Sequence, residues 1–255
     1  MKKSSLLLCG LFVLFCVLAP TSALAADPIP GISVDIGNSD GAEGASSTIS
    51  LVLLITILSI APSILILMTS FTRIVIVLGF VRTALGTQQM PPNQVLIGIA
   101  LFLTLFIMSP TIGEINQTAL QPYMKGELTQ TQALQKAAVP LKKFMLAQTR
   151  EKDLLLFMNY AKAEKPATVT DTPLTALIPA FAISELKSAF QMGFMIFIPF
   201  LVIDMIVAST LMSMGMMMLP PIMISLPFKI LLFVLVDGWY LVVKSLLISF
   251  HAPLT

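Results

Sequence analysis

The chain has 255 residues, of which 56% are hydrophobic and 11% charged, with a formal net charge of +2 and a mean hydropathy of +0.93. Soluble domains carry about 25% charged residues, so the composition excludes an ordinary soluble domain and indicates a membrane-associated protein. So small a net charge gives no ground for a nucleic-acid partner.

Residues 1–25 read as a secretory signal peptide. Lys2 and Lys3 form its basic start, Leu6 to Leu18 its apolar centre, and Ala23-Leu24-Ala25 an A-x-A site with cleavage after Ala25. Cleavage leaves thirteen bases against thirteen acids, so overall charge does not favour adsorption to an anionic lipid surface either. Cys9 and Cys16 both lie in the signal, and the mature chain would have no disulfide or thiolate metal site. Phe15 before Cys16 argues against a lipoprotein. Residues 26–48 form an acidic linker (Asp27, Asp35, Asp40, Glu43) with no base, a composition that suggests disorder.

Residues 49–112 hold two apolar blocks, Ile49 to Leu85 and Val95 to Ile112, read as a first helical hairpin. The first block exceeds the roughly 20 residues needed to span a bilayer, and Pro62 is expected to kink or break it. Arg73 and Arg82 read as the charges of a short connection without acids, which the positive-inside rule assigns to the cytoplasm. Residues 113–184 then face the periplasm. This region is expected to be helical: Thr129-x-x-Gln132 matches a capping box, and Leu134, Ala138, Leu141 and Met145 recur at helical spacing. Pro140 is expected to break that helix, and residues 151–162 form another amphipathic segment. Residues 185–255 carry a second hairpin, with blocks Ala189–Leu211 and Ile222–Phe250. The fold class is therefore all-α, with about four apolar segments and a small helical periplasmic region.

A faint internal repeat links the hairpins. Gly86-TQQM-Pro91-Pro92 and Gly215-MMML-Pro220-Pro221 each sit between two apolar blocks, as glycine- and proline-defined hinges at the two tips.

Asp204 lies in an apolar block, where a charge costs about 2.5–3.5 kcal/mol on insertion scales. It needs a partner or water. Lys229, Asp237 and Lys244 are spaced by eight and seven residues, which keeps them on one stripe of a continuous helix. With Asp204 they read as a polar seam between helices or subunits; a proton relay is the sharper alternative. Glu185, with Lys187, reads as the solvated start of the helix leading into the third block, an acid suited to the positive end of the helix dipole. Met216, Met217 and Met218 are consecutive, so they point three ways around a helix and do not form a one-sided packing stripe. With Gly215 before them and Pro220-Pro221 after, they suggest a loop of soft side chains. Such a loop needs protein or a cavity around it, and repeated around a ring it would form a deformable hydrophobic constriction. His251 is the only histidine, and no nucleotide-binding, zinc-protease or nucleophile-elbow pattern is present. No enzyme activity, metal or cofactor is expected.

The stretch PAFAISELKSAFQMGF (179–194) and the run from Pro199 through Pro221 closely resemble the two signature regions of the FliP family of flagellar export proteins, related to the injectisome R protein. The layout of signal peptide, paired apolar segments and intervening polar region resembles that family across nearly the whole chain. The resemblance implies a homopentameric FliP ring completed by FliR, with FliQ around it and FlhB and FlhA as neighbours. Its helices would form a cone packed largely in protein above the plane of the inner membrane, in the flagellar basal body. It implies passage of unfolded flagellar subunits through the pore, a gasket role for Met216, Met217 and Met218, and an intersubunit ion pair of Glu185, with Lys229 as a partner. Two other readings stand beside it. One is a solute or ion carrier that uses Asp204 and a duplicated hairpin; the other is a scaffold without a pore. Flagellar rather than injectisome use rests on the signal peptide and the long periplasmic region.

Overall fold

A computed structural model describes residues 52–56, 58–60, 63–64, 66–87, 90–162, 168–216 and 219–251. The signal peptide with Ala25, the acidic linker and Pro62 lie outside the described residues. The chain divides into a unit ending at Ile57 and a second unit, Leu58–Thr255. In the first, residues 52–56 are helical.

The regular elements of the second unit are all helices among its described residues. After a turn at residues 68–70, α1 runs Phe71–Leu85 and α2 Asn93–Ile115; a π-turn Asn116–Leu120 and a short α3, Gln121–Met124, continue α2. Next come α4 Gln130–Gln148, α5 Glu151–Tyr160, α6 Leu174–Ser213, α7 Pro221–Leu235 and α8 Gly238–His251.

Local chemistry sets four of the starts. Thr129 caps α4 in the expected box: the Gln132 backbone N–H donates to Thr129 Oγ1, and the Thr129 N–H donates to Gln132 Oε1. Pro92, Pro173 and Pro220 are the N-caps of α2, α6 and α7, where a missing N–H costs nothing.

Helix α1 is the hub. Ile74, Val77, Leu78, Val81 and Ala84 are fully buried, and their three-to-four spacing gives a wide apolar face. It packs most extensively on α6, then on α2. Gly193 of α6 forms the notch: a Cβ there would stand 2.4 Å from the Phe80 ring, which meets Phe190 edge-on at 5.3 Å. A second core joins Met68, Met145, Leu177 and Phe181.

Four expectations change. Pro140 does not break α4; it is buried within the helix, and tertiary packing outweighs its missing hydrogen bond. The third apolar block is the end of one 40-residue helix that already begins at Leu174 and passes through Pro179 and Pro199. Residues 113–184 consequently do not end at a helix boundary, and α4 and α5 pack directly on α6. The fourth block is two helices bent by 63°, with Asp237 at φ 50° in the break. Stretches long and apolar enough to cross a membrane among the described residues are Asn93–Met124 and Leu174–Ser213, with the bent pair α7–α8 as a third.

Candidate functional site

Three polar clusters and two turns organise this apolar body. The innermost cluster centres on Arg73, whose side chain is fully buried. Its Nε donates to Glu185 Oε2 at 3.0 Å and its Nη2 to Glu185 Oε1 and to Gln148 Oε1 at 3.0 Å. Its Nη1 donates to the carbonyl and hydroxyl oxygens of Ser249 at 3.2 and 3.1 Å. All five guanidinium protons are thereby used. The Phe250 ring lies 4.0 Å from Cζ, and Gln148 Nε2 donates to the Phe250 carbonyl. One side chain thus ties α1, α4, α6 and α8 together.

This overturns two expectations. Arg73 is a buried clamp within α1 and no loop charge, which leaves Arg82 alone to support the assigned topology. Glu185 lies eleven residues into α6, far from its start, so the solvated, dipole-facing reading does not hold. Within this chain its partner is Arg73, not Lys229. The clamp was missed because its members are far apart in sequence. The available signal was Arg73 itself, a base in an apolar run that needs a counter-charge as much as Asp204 does.

A second cluster links the α5 start to α6. Ser184 Oγ donates to Asp153 Oδ2 at 2.6 Å and accepts from the Arg150 N–H at 3.1 Å; Arg150 and Asp153 also form an ion pair.

The third cluster holds Asp204 between two donors from α7. Lys229 Nζ donates to Oδ2 at 2.6 Å, and Ser225 Oγ to Oδ1 at 2.5 Å. Lys229 is 3% exposed at its side chain and Asp204 28%. Asp204 and Lys229 therefore meet across the α6–α7 hairpin. Asp237 and Lys244 do not join them: the bend at Asp237 breaks the stripe that a straight helix would have kept. Asp237 is exposed at the bend, and Lys244 is exposed on α8 beside Tyr240.

The two turns share a geometry. Gly86 and Gly215 have φ 75° and 76°, the left-handed region that favours glycine. Each donates its N–H to the carbonyl three residues back, Thr83 or Met212. Pro91-Pro92 and Pro220-Pro221 then open the following helix. Their surroundings differ. The Gly86 turn is stitched by Arg82 to Asn93 Oδ1 and by Thr87 to the Met90 carbonyl. It leans on α7, with Lys229 Nζ, Leu226 and Ile222 3.6–3.8 Å from where a Cβ would be. Around the position a Cβ on Gly215 would take, no described residue beyond its chain neighbours lies within 4 Å. Met212, Met214 and Met216 stand exposed there at 64%, 67% and 43%; Met217 and Met218 lie outside the described residues.

The fold defines a class: an all-helical protein of proline-interrupted hairpins, with two or three stretches able to cross a membrane and ion pairs joining α1 to α6 and α6 to α7. The FliP family profile matches residues 54–246. Flagellar biosynthetic protein FliP of Bacillus subtilis is 69% identical over 217 residues, covering 85% of this chain and 98% of that protein. The proteins of the same name from Caulobacter vibrioides and Aquifex aeolicus are 50% and 47% identical, covering 92% of this chain and 87% and 98% of theirs. The chain belongs to the FliP family.

Proposed function

We propose that this protein is the pore-forming subunit of a flagellar protein export gate in the bacterial inner membrane. In this reading it enters by its signal peptide, is cleaved after Ala25, and assembles as a homopentameric ring with FliR and FliQ, beside FlhB and FlhA. Unfolded flagellar subunits pass through the ring, and the region around α4 and α5 faces the periplasm. The role is structural, not enzymatic; the energy for transport comes from elsewhere in the apparatus.

The observation that carries this reading is the methionine turn after α6. Its described side chains are exposed at a hairpin tip, where no described residue beyond the chain neighbours lies within 4 Å of where a Cβ on Gly215 would be. Soft, unbranched side chains adapt to irregular surfaces, which suits Met216, Met217 and Met218 as a seal that deforms around varied polypeptides. The Asp204–Lys229–Ser225 cluster supports a seam that fixes the tip in preference to an ion-coupling site, because both carboxylate oxygens already accept from protein donors.

The test is deletion of Met216 to Met218 in cells that assemble the apparatus, followed by measurement of small-ion leak across the inner membrane and of motility. A gate leaks; a solute carrier loses activity without leaking; a scaffold does neither. Absence of leak in an assembled complex overturns the reading.

A further inference from the structure

The two cysteines of the chain are Cys9 and Cys16, so beyond residue 16 its oxidisable sulfur is all thioether. The described methionines divide by burial. Met68, Met108, Met145 and Met158 are buried, whereas Met212, Met214 and Met216 all stand exposed at one hairpin tip. Backbone bonds hold that turn: the N–H groups of Met214, Gly215 and Met216 donate to the carbonyls of Thr210, Met212 and Leu211. No side-chain sulfur takes part, so a change at sulfur leaves this fastening in place.

Oxidation turns a flexible apolar methionine into a polar, chiral sulfoxide. A hydrophobic constriction closes by dewetting, and a sulfoxide oxygen is a strong acceptor that draws water in. In a ring, neighbouring copies cover the flanks of each tip, while the side that meets a passing polypeptide stays in contact with water and with small solutes.

We propose that the methionine tip, Met212 to Met216, is a reversible oxidation site, at which peroxide forms sulfoxides that open the seal and reduction closes it again. The inference rests on the gate reading. A sulfur lone pair attacks one peroxide oxygen; the S–O bond forms as the O–O bond breaks. The proton on the transferred oxygen passes to the departing hydroxide, which leaves as water. Sulfur loses two electrons and the peroxide gains them. A methionine sulfoxide reductase reverses the change: a dithiol supplies two electrons and two protons, becomes a disulfide, and the oxygen leaves as water.

The test uses the assembled export complex in liposomes. It is treated with hydrogen peroxide, sulfoxides are mapped by peptide mass spectrometry, and ion leak is followed with a trapped dye. We expect sulfoxide in the tip peptide while Met145 and Met158 stay reduced. Leak should rise about tenfold, the scale of one polar group's preference for water over an apolar setting, and fall again with reductase and dithiothreitol. Met216→Gln, polar and unbranched, should leak without oxidant. Met195 and Met205 on α6 are exposed too, so a second variant carries leucine at 212, 214, 216, 217 and 218 and leaves them in place. Against its own untreated leak, that variant should show no rise. A rise that survives in it overturns the assignment to the tip. Sulfoxide at Met195 or Met205 with none at the tip overturns the site, and an oxidised tip without a rise overturns the switch. Both leave the gate reading standing if deletion of Met216 to Met218 leaks; if that deletion stays tight in an assembled complex, the two fall together.

Discussion

The first twenty residues of α6 bury Ala176, Leu177, Ala180, Phe181, Ser184, Glu185, Ser188, Ala189 and Gly193, whereas the last twenty bury Phe200 alone. The acids of the two halves follow the same division. Glu185 is sealed with Arg73 at zero exposure, while Asp204 is paired but in partial contact with the surroundings. The hairpin tips repeat the contrast, one stitched down on α7 and the other open. A single helix therefore serves as interior beam at one end and free surface at the other, and the same residue type carries different weight in each.

Substitutions probe that division in decreasing order of effect. Glu185→Ala strands a buried guanidinium and is expected to cost about 3–5 kcal/mol, read as loss of the thermal transition of the detergent-extracted protein. The double change Arg73→Met with Glu185→Met should recover most of it. Gly193→Ala drives a methyl into the Phe80 ring and should cost about 1–3 kcal/mol. Phe80→Leu in that background should relieve the clash, which a denaturation series would register as a restored midpoint. Asp204→Asn keeps the volume but loses a partly exposed ion pair, for about 1–2 kcal/mol; a loss equal to that of Glu185→Ala would erase the distinction between the halves. Met214→Leu at the open tip should change stability by less than about 0.5 kcal/mol, measured in the same unfolding assay.

What could be read from sequence was what short-range chemistry decides. The Thr129–Gln132 cap, the left-handed glycines at 86 and 215 and the proline helix starts are each settled within a few residues. The need of Asp204 for a partner was equally plain, because the cost of an isolated charge in an apolar setting is local. What escaped depends on contacts remote in sequence. Arg73 meets Glu185 at a sequence separation of 112, and no periodicity announces that. Pro140 stays helical because packing buries it. The break at residues 236–237 carried a usable sign, an Asp-Gly pair, overshadowed by the hydrophobicity on either side.

Exposed apolar side chains line α6 from Ile183 to Met212, about 44 Å of rod at 1.5 Å per residue. To immerse that length in about 30 Å of hydrocarbon the axis would have to lean roughly 47°, steeper than the 0–40° range seen for membrane helices. An unaccompanied copy therefore leaves greasy surface in water wherever it sits, so newly made subunits must find companions promptly or be lost to precipitation and proteolysis.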